Sequence, residues 1–295
     1  MTGPLLILGE HGQLALALAQ AAAAHGAEPV LAGRSTADLA VRGAVSSLIE
    51  RIRPAAVVNA AAYTDVDRAE REPGRAHAIN AEGASEAAEA ARRVGARFIH
   101  VSSDYVFAED GPHDEQAAVG PVNAYGRTKY AGEVAVLNAH PEAAVVRASG
   151  VFSGRGKDFP SAIWRRAYTD ETIRVVTDQS VSPILADDLA ERLLALCAIP
   201  GEGVYHCPGA PGASWHSVAV EALRALSEAG GPDRTAEPVS SALFVRPAPR
   251  PSDSRLSGTR LEQETGLETP SWATGLRTAV RRWLALTDGG GLERT

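Results

Sequence analysis

The sequence predicts a doubly wound α/β fold on a parallel sheet, followed by a smaller C-terminal α+β lobe. Three observations carry this expectation. Short apolar runs alternate with amphipathic or alanine-rich stretches through the first 150 residues, the pattern of right-handed βαβ units. The first run, Leu5 to Leu8, ends in a glycine-bearing turn that opens a helix. After about residue 150 the pattern changes, and segments 153–160, 208–214 and 230–256 become rich in Gly, Pro and Ser.

Taken in order, Leu5–Leu8 reads as a buried parallel strand and 13–25 as a helix closed by Gly26. Pro29–Leu31 is a second strand. Helix 44–53 precedes a third strand at 55–59. Helix 74–94 stops at Gly95, and 97–102 is a fourth strand. Helix 124–139 leads to a strand at 144–147. Beyond it, helices are expected near 158–169, 187–198, 214–229 and 272–286, with short strands at 174–176 and 203–206. The expected division is a dinucleotide-binding unit at 1–150, with chain returning to it near 174–207, a substrate lobe at 151–287, and a flexible tail at 288–295.

Composition narrows the function. The 295 residues are 45% hydrophobic, enough for a sizeable core. Net charge is −7 with both signs interspersed, and no basic block suggests nucleic acid. Leu5–Leu8 is too short for a signal segment, and no run approaches the roughly 20 apolar residues of a membrane span. Cys197 and Cys207 lack metal-ligand spacing and make a poor disulfide framework, so a reducing, cytoplasmic setting and no metal are expected. Only Lys129 and Lys157 are lysines, against 27 arginines, which draws attention to Lys129.

The turn Gly9-Glu10-His11-Gly12-Gln13-Leu14-Ala15 suits a Rossmann-type nucleotide cradle. Gly9 permits a tight turn, Gly12 lets a pyrophosphate approach the helix N-terminus, and Ala15 is small enough for helix–strand packing. Strand 2 ends at Gly33-Arg34-Ser35 instead of an acid, so Arg34 and Ser35 are candidates for a 2′-phosphate. The expected cofactor is therefore NADPH, with NADH as the alternative. Asp38 and Leu39 could edge the adenine, and Ala60, Ala61, Ala62 and Tyr63 leave room for a dinucleotide beside strand 3.

Tyr125 and Lys129 stand four residues apart and share a helix face, with Ser103 at the end of strand 4. Reduction of a ketone needs a proton at oxygen. Tyr125 can donate it, and Lys129 is expected to favour the phenolate. Ser103 is expected to donate to the developing oxyanion. His100, His206 and His216 are read as packing histidines, and Trp164, Trp215, Trp272 and Trp283 as core or lobe packing.

These residues resemble the extended short-chain dehydrogenase/reductases, and within them the dTDP-4-dehydrorhamnose reductase family of nucleoside-diphosphate-4-keto-6-deoxysugar reductases. The resemblance rests on GEHGQLA at 9–15, IRPAAVVNAAAYTDVDRAE at 52–70, INAEG at 79–83, IHVSSDYVF at 99–107 and NAYGRTK at 123–129. It continues through TDQ at 177–179, VYHCPG and SWHSVA within 204–219, and RPSDSRL at 250–256. It implies cofactor contacts at Gly9, Gly12, Gln13, Leu14, Asp38, Leu39, Ala60 to Tyr63 and Asn80. It implies a catalytic set of Ser103, Tyr125 and Lys129, and a sugar pocket including Tyr105 and Phe107. Asp67 and Glu70 are candidates for the wall beside the cofactor. Arg246 and Arg250, in a Pro-rich loop, are candidate diphosphate anchors. A homodimer is also implied.

Three positions depart from the family pattern. Ser103 replaces threonine and keeps the hydroxyl. Ile184 replaces threonine after Pro183. Gly150 stands where the rhamnose enzymes carry a tryptophan against the hexose, so a larger sugar pocket is expected. The favoured function is NADPH-dependent reduction of a nucleotide-linked 4-keto-6-deoxyhexose. The alternatives are a redox-neutral dehydratase or epimerase, for which Tyr105 stands where a glutamate is expected, and a non-catalytic reductase-like subunit.

Overall fold

The apolar runs become one seven-stranded sheet in which every pairing is parallel. The computed structural model describes residues 3–108 and 111–288. In chain order the N-terminal elements are β1 (Leu5–Leu8), α1 (Gln13–Ala24), β2 (Pro29–Ala32), α2 (Arg34–Ala37), α3 (Ala44–Ile52) and β3 (Ala56–Asn59). Next come α4 (Val66–Ala69), α5 (Pro73–His77), a π-helical turn (Ala78–Glu82), α6 (Gly83–Val94), β4 (Arg97–Ser103), α7 (Ala124–Ala139) and β5 (Ala144–Phe152).

The C-terminal half holds α8 (Phe159–Ala167), β6 (Ile173–Val176), β7 (Ser180–Val181), β8 (Pro183–Leu185), α9 (Ala186–Ala198) and β9 (Gly203–Cys207). It ends with β10 (Ala213–Ser214), α10 (Trp215–Glu228), β11 (Ala236–Val239), α11 (Thr259–Thr265) and α12 (Trp272–Asp288). The tail expected at 288–295 lies outside the described residues except for the last helical position.

The strand order is β2-β1-β3-β4-β5-β8, with β9 also against β5. Alternation along each strand makes the two layers. Leu5 and Ile7 pack with Leu14, Leu18, Leu189 and Leu193 on one face. Leu6 and Leu8 pack with Val45, Ile49, Ala87 and Phe98 on the other. A third apolar cluster joins α8, α10 and α12 around Trp164, Leu223 and Trp283, and the Trp164 indole N–H donates to Ala222 O at 2.8 Å.

Two expectations need correction. β5 runs on to Phe152, because its far end pairs with the short strand Pro183–Leu185, which has no alternation to betray it. The segment near 174 does not return to the main sheet. β6 pairs in parallel with β11 instead, and the chain rejoins the sheet through β8 and β9.

Candidate active site

The order of the strands reverses between β1 and β3, and a groove of about 540 Å³ opens there at their C-terminal ends. Open α/β sheets bind ligands in this position. Gly9 sits at its floor with φ +118°, and a Cβ there would lie 3.3 Å from Ala61 N. Only glycine holds this turn without strain. α1 begins at Gly12 with no side-chain cap, so its first amides face the groove unshielded.

Most residues expected at the cofactor do line this groove: Gly9, Gly12, Arg34, Asp38 and Leu39 on one side, Ala60 to Tyr63 on the other. Four do not. Leu14 is buried in the core under α1. Gln13 uses its amide to donate to Val151 O at 3.0 Å and to accept from Ser153 Oγ at 2.9 Å. Ser35 is exposed and outside the lining.

Asn80 is buried on the π-helical turn. Its Oδ1 accepts the Tyr63 N–H at 2.7 Å, and its Nδ2 donates to Tyr63 O and to Thr128 Oγ1. It therefore fixes the groove wall against α7 without facing the groove. Sequence reasoning missed Glu10, Asp65, Arg68 and Arg75, which add charge to the lining. Their signal was proximity to the Gly9 turn and to the VDRAE segment.

The second half of the site stands at the ends of β4 and β5. Asn123 caps α7 by accepting the Gly126 N–H at 2.8 Å, and Glu70 Oε1 accepts the Ala124 N–H at 2.7 Å. This fixes the first turn, which carries Tyr125. The Tyr125 ring is half-buried, meets Tyr105 edge-on at 5.7 Å, and joins Tyr63 of the groove in one apolar cluster. Burial pushes its phenol up, while hydrogen bonding with Ser103 pulls the other way. Lys129, expected to tune the phenol, is held by other groups of α7 and β4. Its Nζ is buried, donates to Val101 O at 2.8 Å, and is pulled down to about 8 by burial against the opposing charge of Glu133.

Ser103 also differs from expectation. Its hydroxyl donates to Asp104 Oδ1 at 3.0 Å and accepts the Tyr105 N–H at 3.1 Å. Its proton is thus committed to Asp104, not to an incoming carbonyl. Asp104 is buried and takes two further serine hydroxyls, Ser149 at 2.7 Å and Ser254 at 2.6 Å. Burial raises its carboxyl, and the serines moderate the rise.

Of the two residues expected at the sugar, Tyr105 is half-buried, and burial with the neighbouring Asp104 pushes its phenol up to about 12. Phe107 cannot line a pocket as it stands. It is fully buried, stacked on His113 at 3.9 Å and under the Arg147 guanidinium at 5.0 Å.

Gly150 has φ +52°, and a Cβ there would sit 3.2 Å from both Pro183 Cβ and the Trp215 ring. Trp215 therefore takes part of the space expected to open at Gly150. Arg250 is committed to Asp67 through both nitrogens at 2.9 Å, while Arg246 is exposed and lies 5.8 Å from the Phe244 ring. Asp67 and Glu70 thus hold the lobe loop and α7. Among the described residues no group of metal-ligating side chains occurs, and no helix is long and apolar enough to cross a membrane.

A nucleotide groove at the switch point, with a tyrosine-bearing helix beside it, defines an oxidoreductase of the short-chain dehydrogenase/reductase class. Within that class the chain belongs to the family described as the RmlD substrate binding domain, which matches residues 2–284. It is 38% identical to the dTDP-4-dehydrorhamnose reductase of Sinorhizobium fredii, over 97% of this chain and 98% of the relative. It is 37% identical to a probable dTDP-4,6-dihydroxy-2-methyloxan-3-one 4-ketoreductase of Streptomyces antibioticus, over 95% of each. The crystal structure of dTDP-4-dehydrorhamnose reductase from Bacillus anthracis in complex with NADP matches with a TM-score of 0.88 at 32% identity, over 97% of this chain and 99% of the other.

Proposed function

We propose that this chain is an NADPH-dependent ketoreductase that reduces the 4-keto group of a nucleotide-linked, best a dTDP-linked, 4-keto-6-deoxyhexose in deoxysugar biosynthesis. The observation that carries the reading is the half-buried Tyr125, hydrogen-bonded to Ser103 and packed on the same apolar cluster as Tyr63 of the groove wall. The full-length similarity to reductases of such sugars supports it.

The groove fits a dinucleotide. Gly9 removes the Cβ that would block close approach to Ala61, and the uncapped start of α1 offers amides to a pyrophosphate. Arg34 is the residue available to a 2′-phosphate, with Glu10 close beside it at Gly33. A bound nicotinamide supplies the hydride.

The chain's own residues supply the rest. The Tyr125 O–H gives its proton to the oxygen of the reduced carbonyl, and Ser103 hydrogen-bonds the phenolate left behind by turning its O–H from Asp104 to Tyr125. Lys129, when protonated, adds the positive charge that favours the phenolate. Arg246, exposed beside Phe244, is a cation available to a diphosphate, and Arg250 joins it only if Asp67 releases it.

The redox-neutral alternative is weaker. A dehydratase needs a carboxylate free to remove a proton, whereas Asp104 is wrapped by three serines and Tyr105 is held protonated.

We assign nucleotide binding to residues 1–150 and sugar binding chiefly to the lobe that follows. The buried, free Cys197 and Cys207 fit a cytoplasmic setting, and the exposed Tyr130 and Val134 on α7 offer an apolar face for a homodimer. The test is NADPH oxidation against a panel of dTDP-4-keto-6-deoxysugars with product stereochemistry by NMR. Stoichiometric oxidation with one 4-hydroxy epimer is expected. Turnover without net NADPH consumption would transfer the assignment to a redox-neutral enzyme.

A further inference from the structure

Beneath Lys129 lies a buried polar pair that the chemistry above does not use. His100 on β4 and Asn59 at the end of β3 are both fully buried. The Asn59 Oδ1 accepts the Ala61 N–H at 3.2 Å, so the amide Nδ2 is the group that faces His100 Nδ1 at 3.1 Å. Reversing the amide would set two N–H donors against each other at Ala61. His100 Nδ1 must then be the unprotonated, accepting nitrogen, and the neutral ring carries its hydrogen on Nε2. That nitrogen lies 3.5 Å from Lys129 Nζ. An N–H pointed at an amine meets a lone pair if the amine is neutral, and another donor if it is an ammonium.

We propose that Asn59 and His100 form a tautomer lock that favours the neutral amine of Lys129, making His100 a positioning residue that sets the alkaline limit of ketone reduction. The rate half of this inference rests on the reading of Lys129 given above.

The charged groups around Lys129 are few. On α7, Glu133 lies one turn on and favours the ammonium, and Tyr125 lies one turn back. From β5, Arg147 binds the Glu133 carboxylate at 2.9 and 2.7 Å and so blunts its effect. From β4 comes His100, whose own protonation is strongly disfavoured by burial and then by Lys129. The π-helical turn contributes only Asn80, with its backbone carbonyl at Gly132. With Glu133 largely neutralised, burial and the His100 donor both act toward the neutral amine.

The chain has only two lysines, so the test is direct. The full-length protein is labelled at the lysine side chains, and Lys129 is titrated by NMR with the exposed Lys157 as internal reference. The wild-type midpoint is expected near 8. His100→Gln replaces the ring donor with a side chain able to accept from the ammonium, and the midpoint rises by about one pH unit. Asn59→Asp gives Nδ1 an acceptor, inverts the tautomer and moves the midpoint the same way. Ring nitrogen shifts of wild-type His100 show Nε2 protonated and Nδ1 bare.

A Lys129 midpoint that stays put in a folded His100→Gln protein, or the opposite tautomer in the wild type, overturns the lock. If the midpoint moves while the alkaline limb of kcat/KM does not follow, the role in reduction is overturned. If no keto-sugar is reduced at all, the proposed function fails, and the NMR titration still decides the lock.

Discussion

The two halves of the cleft are made of different material. The cradle at the ends of β1 and β3 is main chain and small side chains, drawn from short contiguous stretches such as Gly9–Gly12 and Ala60–Ala62. The half at the ends of β4 and β5 is a set of buried polar side chains gathered from across the chain. Asp104 meets Ser149 and Ser254, and Glu133 meets Arg147. The first half recognises by leaving room. The second holds geometry by satisfying every buried polar group, which makes single truncations there costly.

The difference can be broken at four points. The largest effect is expected at Tyr125. Tyr125→Phe lowers kcat by about 10²- to 10⁴-fold, with the melting temperature and NADPH affinity unchanged. A loss under tenfold in stopped-flow turnover would place the proton donor elsewhere.

Next comes the buried ion pair. Arg147→Met leaves the buried Glu133 carboxylate with the Ser102 hydroxyl but without its bidentate guanidinium and costs about 3–5 kcal/mol in urea unfolding. Ser35→Ala, on the exposed rim of the cradle, changes stability by no more than about 0.5 kcal/mol. Equal costs at the two positions would erase the contrast.

Third, Gly9→Val forces a branched side chain into φ +118° within 3.3 Å of Ala61 N. NADPH affinity falls by at least about tenfold, read by fluorescence titration, the equivalent of 1–3 kcal/mol of backbone strain.

The last and most gradual effect concerns acid. Burial first, then Arg147, holds the His206 ring down at about 3, so the native ring stays neutral while the unfolded one protonates near its ordinary 6.5. Stability is then full above that ordinary value and falls as pH drops through the window toward about 3. The slope is at most about 1.4 kcal/mol per pH unit. His206→Gln flattens the slope, and chemical denaturation at several pH values measures it.

The same contrast explains what could be read from the chain. α7 was legible because Asn123 caps it and Ala124–Ala139 carries no proline before Pro141. The cradle was legible because glycine and alanine at fixed offsets have few other uses. Asn80 stood out as part of a motif, yet its role was hidden, since its partners Tyr63 and Thr128 lie 17 and 48 residues away. Phe107 looked like pocket lining because an aromatic follows the serine, but His113 and Arg147 cover its ring. The wrapping of Asp104 by Ser149 and Ser254 and the placement of Trp215 against Gly150 depend on segments that meet only after folding.

Gln13 ties these halves together. It is the first residue of α1, at the mouth of the cradle, and its side chain grips Val151 and Ser153, just past Gly150 on the sugar side. By reciprocity of linked equilibria, whatever factor the cofactor adds to sugar affinity, the sugar returns to the cofactor. Gln13→Ala removes this link, and NADPH affinity measured with and without the sugar reads how much coupling runs through it.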